Sequence, residues 1–384
     1  MKPRRRILKI ILLLTAAVLA LVALLAVWQW TYLSRILTYP DDPVTDAAWY
    51  QPREAVPGGP GEPLPVVAHP GIRADALARA ADYAERKNSS ALLVVHDGEV
   101  VAEHYWRGHD AGSVTNSMSM AKTVVGLLVG IAIDEGKIAS VDEPAAKYLT
   151  EWAGDGRRRI TVRHLLQMAS GLADAEHDDD PFSPVGRMYL GSDALAAVAK
   201  TPLAFEPGTR FDYNSIATQA LSVVLERATG KRYAEYLSEK LWLPLGASDA
   251  SVWLDREEGH AKTFCCLFTT ARDWARVGLL ILNEGRVGGR QVVPSAWVRE
   301  MLTPSPREED YGYQIWLGRQ GSRRGDREEE FLAGDVIYLD GKFKQRVYVV
   351  PSRKLVVVRL GEQARGWDDA HLVNAVLRGL EADR

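Results

Sequence analysis

The feature that most constrains this chain is the run from Met120 to Glu135, where Val124, Val125, Leu127, Leu128, Val129, Ile131 and Ile133 leave almost no polar side. Gly136 stops the run and the cap-type residues Asn116 and Ser117 precede it, so the pattern predicts a helix. A helix that is apolar on most sides must be buried, and the rest of the chain has to supply layers around it. One residue resists that burial. Lys122 lies in the first turn, followed by Thr123-Val124-Val125, and burying an unpaired ammonium group is costly. Ser119 stands three positions earlier, and on a helix that starts there residues i and i+3 share a face within hydrogen-bond range. Ser119-Met120-Ala121-Lys122 is the only S-x-x-K in the chain. A cap serine followed by a solvated lysine fits this buried setting poorly. A serine activated by a lysine fits it well, because a serine at a helix N-terminus also sits beside unpaired backbone N–H groups suited to an oxyanion.

Composition removes other classes. The chain has 384 residues, 47% hydrophobic and 25% charged, which is ordinary for a globular protein of one large or two medium domains. Its net charge is −3 and its basic residues are scattered, apart from an N-terminal cluster and a short run at Arg323, Arg324 and Arg327, so no nucleic-acid partner is expected. The two cysteines, Cys265 and Cys266, are adjacent; they cannot close a long loop, a vicinal bridge would be strained, and they read as two small buried residues. The eight histidines are dispersed, no H-E-x-x-H occurs, and no Cys/His group has zinc spacing. Neither a metal nor an organic cofactor is expected.

The N-terminus predicts a membrane anchor. Lys2, Arg4, Arg5 and Arg6 precede an uncharged stretch from Ile10 to Val27, and Trp28, Trp30 and Tyr32 follow it. About 18 to 20 apolar residues span a bilayer core as a helix, with positive charge inside and aromatic residues at the interface. A cleaved signal peptide is the competing reading, but no A-x-A site ends the core. Residues 1–9 are thus expected as a basic cytoplasmic tail and 10–30 as a transmembrane helix. The catalytic part is then exported, to the periplasm or the extracellular side.

Residues 31–72, with Pro40, Pro43, Pro52, Pro57, Pro60, Pro63, Pro65 and Pro70, read as a Pro/Gly-rich linker or a strap on a domain surface. The folded domain, 73–384, opens with a helix over Ala74 to Arg86 and a hairpin over Ala91 to Trp106 turning at Asp97-Gly98. A mainly helical lobe follows, about 141–262, with helices at Val162 to Met168, Ser192 to Ala199, Ile216 to Ala228 and Tyr233 to Leu241, and a further helix covers Thr269 to Asn283. Strand-like runs return at Tyr311 to Leu317, Asp335 to Leu339, Arg346 to Val350 and Leu355 to Leu360, before a last helix over Asp368 to Leu380. Sheet at both ends with helices inserted between them predicts an α/β (α+β) domain closed by its two termini.

A second chemical element is Pro207 to Ser215, a turn and short extended piece before the helix at Ile216. A tyrosine there can face the serine as proton acceptor and donor if neighbouring positive charge lowers its pKa from about 10; taken alone, Tyr213 reads as a packed tyrosine. Taken with Asn116 to Thr123, Ile160 to Leu172, Thr270 to Arg276 followed by Gly278-Leu279-Leu280, and Val347 to Pro351 followed by Leu355 to Arg359, it resembles the class C β-lactamase-related serine hydrolases. That family includes class C β-lactamases, D-alanyl-D-alanine carboxypeptidases, esterases and 6-aminohexanoate-dimer hydrolases. The likeness runs from about Ala74 to Leu380, with the motifs in the family's order.

The resemblance implies a β-lactamase/transpeptidase-like fold, an antiparallel sheet flanked by helices plus a helical lobe, with Ser119 as nucleophile, Lys122 as its activator and Tyr213 as acid/base. Ser215 stands where many members carry the asparagine of Tyr-x-Asn. The family's third motif, Lys-Thr-Gly or His-Thr-Gly on the inner edge strand, should fall between Gly334 and Gln345, where no such triplet occurs; Asp340 and Gly341 are the supporting residues assigned there. This degenerate motif and Phe264-Cys-Cys-Leu267 look more like the 6-aminohexanoate-dimer hydrolases and esterases. The implied substrate is a small ester or amide cleaved through an acyl-enzyme. A β-lactamase or D-Ala-D-Ala carboxypeptidase is the alternative activity, and a non-catalytic penicillin-binding-like receptor the alternative of another class. A Ser-His-Asp hydrolase lacks its G-x-S-x-G elbow here. The acidic run Asp178-Asp179-Asp180 reads as a solvated loop rather than a guide for amine substrates.

Overall fold

The computed structural model describes residues 8–9, 11–21, 29–67, 71–173, 180–320 and 328–380. The expected anchor over 10–30 falls partly outside them; residues 11–21 are helical, and among the described residues no helix is long and apolar enough to cross a membrane. The Arg323, Arg324 and Arg327 run, and Asp178 and Asp179, also lie outside the described residues.

Twelve strands are numbered along the described chain: β1 (Arg53–Val56), β2 (Ser89–His96), β3 (Glu99–Tyr105), β4 (Thr115–Asn116), β5 (Ala250–Trp253), β6 (Leu267–Thr269), the small hairpin β7 (Arg286–Val287) and β8 (Arg290–Gln291), β9 (Trp316–Gly318), β10 (Val336–Gly341), β11 (Gln345–Val350) and β12 (Leu355–Gly361). The main sheet has six antiparallel strands in the order β3-β2-β12-β11-β10-β9. Its inner strands are uniform runs such as Leu355–Gly361, buried at every position, as expected for strands covered on both faces.

The helices that matter below are α1 (Trp30–Leu37), α2 (Ala74–Arg86), α3 (Ala121–Asp134), α4 (Val162–Leu166), α5 (Pro184–Leu190), α6 (Ala194–Lys200), α7 (Ser215–Thr229), α8 (Tyr233–Leu237), α9 (Ala271–Leu282), α10 (Ser295–Met301) and α11 (His371–Leu377). One face of the sheet is covered by α9, where a Cβ on Gly278 would come within 2.6 Å of Val356 and 3.0 Å of Val347. The termini of the domain close on each other, with Ile72 bridging Leu380, Arg73 N–H donating to Gly379 O, and the Tyr83 ring packed between Trp367 and His371.

Helix α3 is the buried centre the sequence demanded, with every residue from Ala121 to Ala132 buried. Gly126 and Gly130 make one side of it narrow enough for a tryptophan. The Trp297 indole of α10 lies across that side, donating from Nε1 to Gly126 O at 3.0 Å, and a Cβ on Gly130 would fall 2.0 Å from its ring. Gln314 ties α3 to the lobe. Its backbone takes the left-handed region (φ 58°) and its carbonyl accepts from Thr123 Oγ1. Its side chain donates to Leu165 O and Leu166 O of α4 and accepts from Thr218 Oγ1 of α7.

That knot explains one departure from the expected elements. The strand anticipated over Tyr311 to Leu317 is reduced to Trp316–Gly318, because the chain folds back at Gly312 to Gln314 to meet α4. A second departure is a four-stranded sheet in the order β1-β5-β6-β4, which alternation alone did not reveal because its strands are two to four residues long. Its edge strand β1 comes from the Pro/Gly-rich segment 31–72, which also contains all but the first residue of α1. Helix α5 was likewise not anticipated; Ser183 caps it, accepting from Gly186 N–H at 2.9 Å, with Pro184 at its first position.

Because Gly130 is already in contact with the indole, Gly130→Ala is expected to overpack the core and lower stability by about 1–3 kcal/mol. Equilibrium denaturation of the full chain measures this; an unchanged midpoint would show that α10 shifts without cost.

Candidate active site

Ser119 lies in a short 3-10 turn, Met118–Met120, that runs straight into α3. The turn starts with Met118 in the left-handed region at φ 49°, a conformation that costs a non-glycine residue about 1 kcal/mol or more and persists only where surroundings enforce it. Here they do. Asn116 Oδ1 accepts from Met118 N–H at 3.1 Å, and Ser117 exchanges hydrogen bonds with Leu267 of β6 through its N–H and its Oγ. The helix-start signal thus divides between its two residues: Asn116 caps the turn, whereas Ser117 makes no cap bond of its own and binds β6.

Lys122 is 1% exposed. Its Nζ stands 2.8 Å from Ser119 Oγ and donates to Phe264 O at 2.8 Å, and it lies 5.0 Å from the Tyr213 ring centroid. The burial cost of the amine is offset by these partners. With the Phe264 carbonyl and the Ser119 hydroxyl as its two partners, the amine stands within proton-transfer distance of the serine.

Tyr213 is delivered by the loop before α7. Gly208 at φ 78° turns the chain, with a Cβ there only 2.7 Å from the His164 ring, and Asp212 N–H donates to Met168 O at 2.7 Å. Asn214 caps α7 by accepting from Ile216 N–H at 2.9 Å and donates to Leu172 O and Ala173 O. The Tyr213 ring packs on Trp316 (5.5 Å) and Tyr311 (6.1 Å), so the tyrosine leans on the edge of the main sheet. Ser215 is the first residue of α7 and is buried; the polar contacts that tie this loop are made by Asn214 instead.

Strand β10 reaches the turn of Ser119 at its end. A Cβ on Gly341 would fall 2.6 Å from Ser117 O, so only glycine permits this approach. Asp340 is ion-paired with Arg346 across the ladder, and Arg346 also binds Asp369 at 2.7 Å. Burial opposes the Arg346 charge, yet the two carboxylates hold its pKa well above the usual range. Asp340 is therefore engaged in a structural pair. Leu339, paired with Val347, is buried on the face covered by α9. The strand accordingly ends Leu339-Asp340-Gly341, with no cation.

Sequence reasoning missed the Phe264 carbonyl and the Trp316 and Tyr311 rings, since a main-chain acceptor and long-range packing leave no local pattern. It also anticipated Cys265 and Cys266 as two separate buried residues. Both are buried, but their sulfurs are joined in a vicinal disulfide, with Cys266 in the left-handed region (φ 68°), directly after Phe264.

Residues 74–378 match the family model described as Beta-lactamase. The chain is 33% identical over 301 residues to the 6-aminohexanoate-dimer hydrolase of Paenarthrobacter ureafaciens, covering 71% of this chain and 76% of that protein. It is 31% identical over 144 residues to Esterase EstB of Burkholderia gladioli, covering 34% of this chain and 36% of that protein. Among solved structures, a putative 6-aminohexanoate-dimer hydrolase from Bacillus anthracis superposes with a TM-score of 0.70 at 21% identity, covering 88% of this chain and 91% of that one. That superposition shows a β-lactamase-like α+β fold.

Since Gly341 lets β10 close on the turn of Ser119, Gly341→Ala is expected to displace one from the other. A shift of about 1 Å at a reacting centre costs roughly a hundredfold in rate. Steady-state ester hydrolysis by the purified variant measures it, and a rate within twofold of the parent would show that the strand does not shape the site.

Proposed function

The chain belongs to the Beta-lactamase family and is a serine hydrolase, and we propose that it cleaves esters or unstrained linear amides through an acyl-enzyme on Ser119. The observation that carries this reading is the Lys122 amine, 1% exposed, at 2.8 Å from Ser119 Oγ. In the first step Ser119 attacks the carbonyl carbon while Lys122 and Tyr213 relay the hydroxyl proton to the leaving group. The oxyanion is held by the backbone N–H of Ser119 and one from β10 between Tyr338 and Gly341. Water then releases the acid and restores the serine. Lys122 and Tyr213 act as a coupled pair in both steps.

Esters and linear amides are favoured over β-lactams by the end of β10. Relatives that bind a substrate carboxylate use a cation and a hydroxyl on this strand, where Leu339 and Asp340 stand instead. The Lys342 side chain, on the turn after the strand, is exposed. The similarity to a 6-aminohexanoate-dimer hydrolase and to an esterase supports the same reading.

We also read the chain as held in a membrane by residues 10–30, with the hydrolase domain 73–384 exported. The uncharged stretch Ile10 to Val27 supports this, as does α1, which turns Tyr32 and Arg35 into the body and leaves Trp30 63% and Leu37 79% exposed. Mass spectrometry of the membrane fraction should recover Trp28 to Arg35 still joined to the apolar segment; a soluble mature chain starting after Val27 would indicate a secreted enzyme.

Ser119→Ala is expected to abolish both turnover and fluorophosphonate labelling, and Lys122→Ala to lower turnover by about a hundredfold or more. Near-parental activity in either variant would remove the assignment. A label that persists with no ester or amide turnover would instead indicate a receptor. Absence of a charge-assisted bond to a carboxylate weakens transition-state binding by roughly 1.5–3 kcal/mol, about ten- to a hundredfold in specificity. A panel of p-nitrophenyl esters, linear amide oligomers, D-Ala-D-Ala peptides and a chromogenic cephalosporin tests this. The substrate class is falsified if the cephalosporin has the highest kcat/KM.

A further inference from the structure

The family match begins at residue 74, yet the turn that carries Ser119 is held in part from outside it. Asn116, whose side chain caps that turn through Met118 N–H, donates its own N–H to Val44 O at 2.8 Å. Val44 is fully buried and is itself fixed from the main sheet, at the end of β12. Glu362 Oε1 accepts from Val44 N–H at 3.0 Å, Thr45 N–H at 2.7 Å and Thr45 Oγ1 at 2.8 Å. Glu362 follows the last residue of β12, and Gln345 braces that end through both of its amide atoms, donating to Gly361 O and accepting from Gly361 N–H. The strap is gripped a second time by Tyr50, whose hydroxyl donates to Pro43 O at 2.6 Å. Its ring packs 5.1 Å from Phe268, the β6 residue paired with Asn116.

We infer that Glu362 is a positioning residue for the nucleophile: by clamping Val44 and Thr45 it fixes Asn116, and through Asn116 the left-handed Met118, so that Ser119 faces Lys122 before substrate arrives. A left-handed non-glycine residue relaxes unless its neighbours enforce it, and here the enforcing contact is tied to the strap. The strap at 41–56 is thereby part of the catalytic scaffold. The inference rests on the proposed role of Ser119.

The test uses the full chain and compares parent, Glu362→Ala, Glu362→Gln, Thr45→Val and Ser119→Ala. Each is assayed below its melting midpoint for the rate of labelling by an alkyl fluorophosphonate and for kcat and KM on p-nitrophenyl acetate. Glu362→Ala should slow labelling and lower kcat by about ten- to a hundredfold, the scale of a misplaced reacting group, with KM within about threefold. Glu362→Gln, which keeps a carbonyl oxygen as acceptor, should recover most of the rate. A role in stability alone would lower the melting midpoint while leaving the labelling rate of the folded protein unchanged, and that result overturns the inference. If Glu362→Ala does not fold, Thr45→Val decides: it removes one of the three donors, and a parental labelling rate overturns the inference. Labelling that survives in Ser119→Ala would remove the nucleophile itself, which is a separate failure.

Discussion

The structure depends on the need to satisfy one amine inside an apolar helix. Lys122 cannot be solvated where it stands, so the chain must bring acceptors to it, and the acceptors come from two different places. Ser119 is local, three residues away. The Phe264 carbonyl is not, and holding it requires the segment Ala261 to Cys266 to be fixed against α7. Gln219 does this, donating to Ala261 O at 2.8 Å and accepting from Thr263 N–H at 3.1 Å. Lys262 anchors the same segment by donating to Tyr189 O and Gly191 O, with its amine over the Trp253 ring. Burial, reinforced by the nearby Arg35 charge, pulls the Lys262 pKa well below the usual lysine range. The helical lobe, the small sheet and α3 thus converge on the groups around one side chain.

The two sheets divide the work. The main sheet supplies a wall whose edge strand carries Trp316, against which Tyr213 packs, and whose next strand ends at Gly341, which admits it to the turn of Ser119. The small sheet supplies the turn itself, since β4 ends at Asn116 and β6 runs beside it from Leu267. Its four strands include one from outside the family's span, so the segment preceding residue 74 belongs to the same sheet as the turn of Ser119.

Arg35 shows how firmly that preceding segment is attached. Its guanidinium donates to Leu190 O, Gly191 O, Gln51 O and Asp255 O and stacks 4.8 Å from the Trp253 ring. Burial lowers its pKa to about 10, and the Asp255 carboxylate works against that shift. A residue held by four carbonyls from three segments fixes α1 against α5 and the end of the small sheet. A chain shortened to begin near Thr45 would lose Arg35 and Val44 together.

The sequence by itself determined whatever is carried by local spacing. The apolar run at 120–135 dictated a buried central helix, Ser119 and Lys122 three apart dictated a shared face, and the runs at 346–350 and 355–360 marked strands. The family motifs added Tyr213, whose ring centroid the fold brings to 5.0 Å from the Lys122 amine. Only the tertiary structure decided the rest. Strands of two to four residues carry too few side chains to alternate, so the small sheet was invisible until its partners were placed. Asp340 pairs with Arg346 across the β10–β11 ladder, and Asn214 ties its loop to carbonyls 40 or more residues away; strand pairing and long-range acceptors of this kind are set by the fold and not by local spacing. A main-chain carbonyl such as Phe264 O has no residue type to betray it; it becomes an acceptor only when folding aims it.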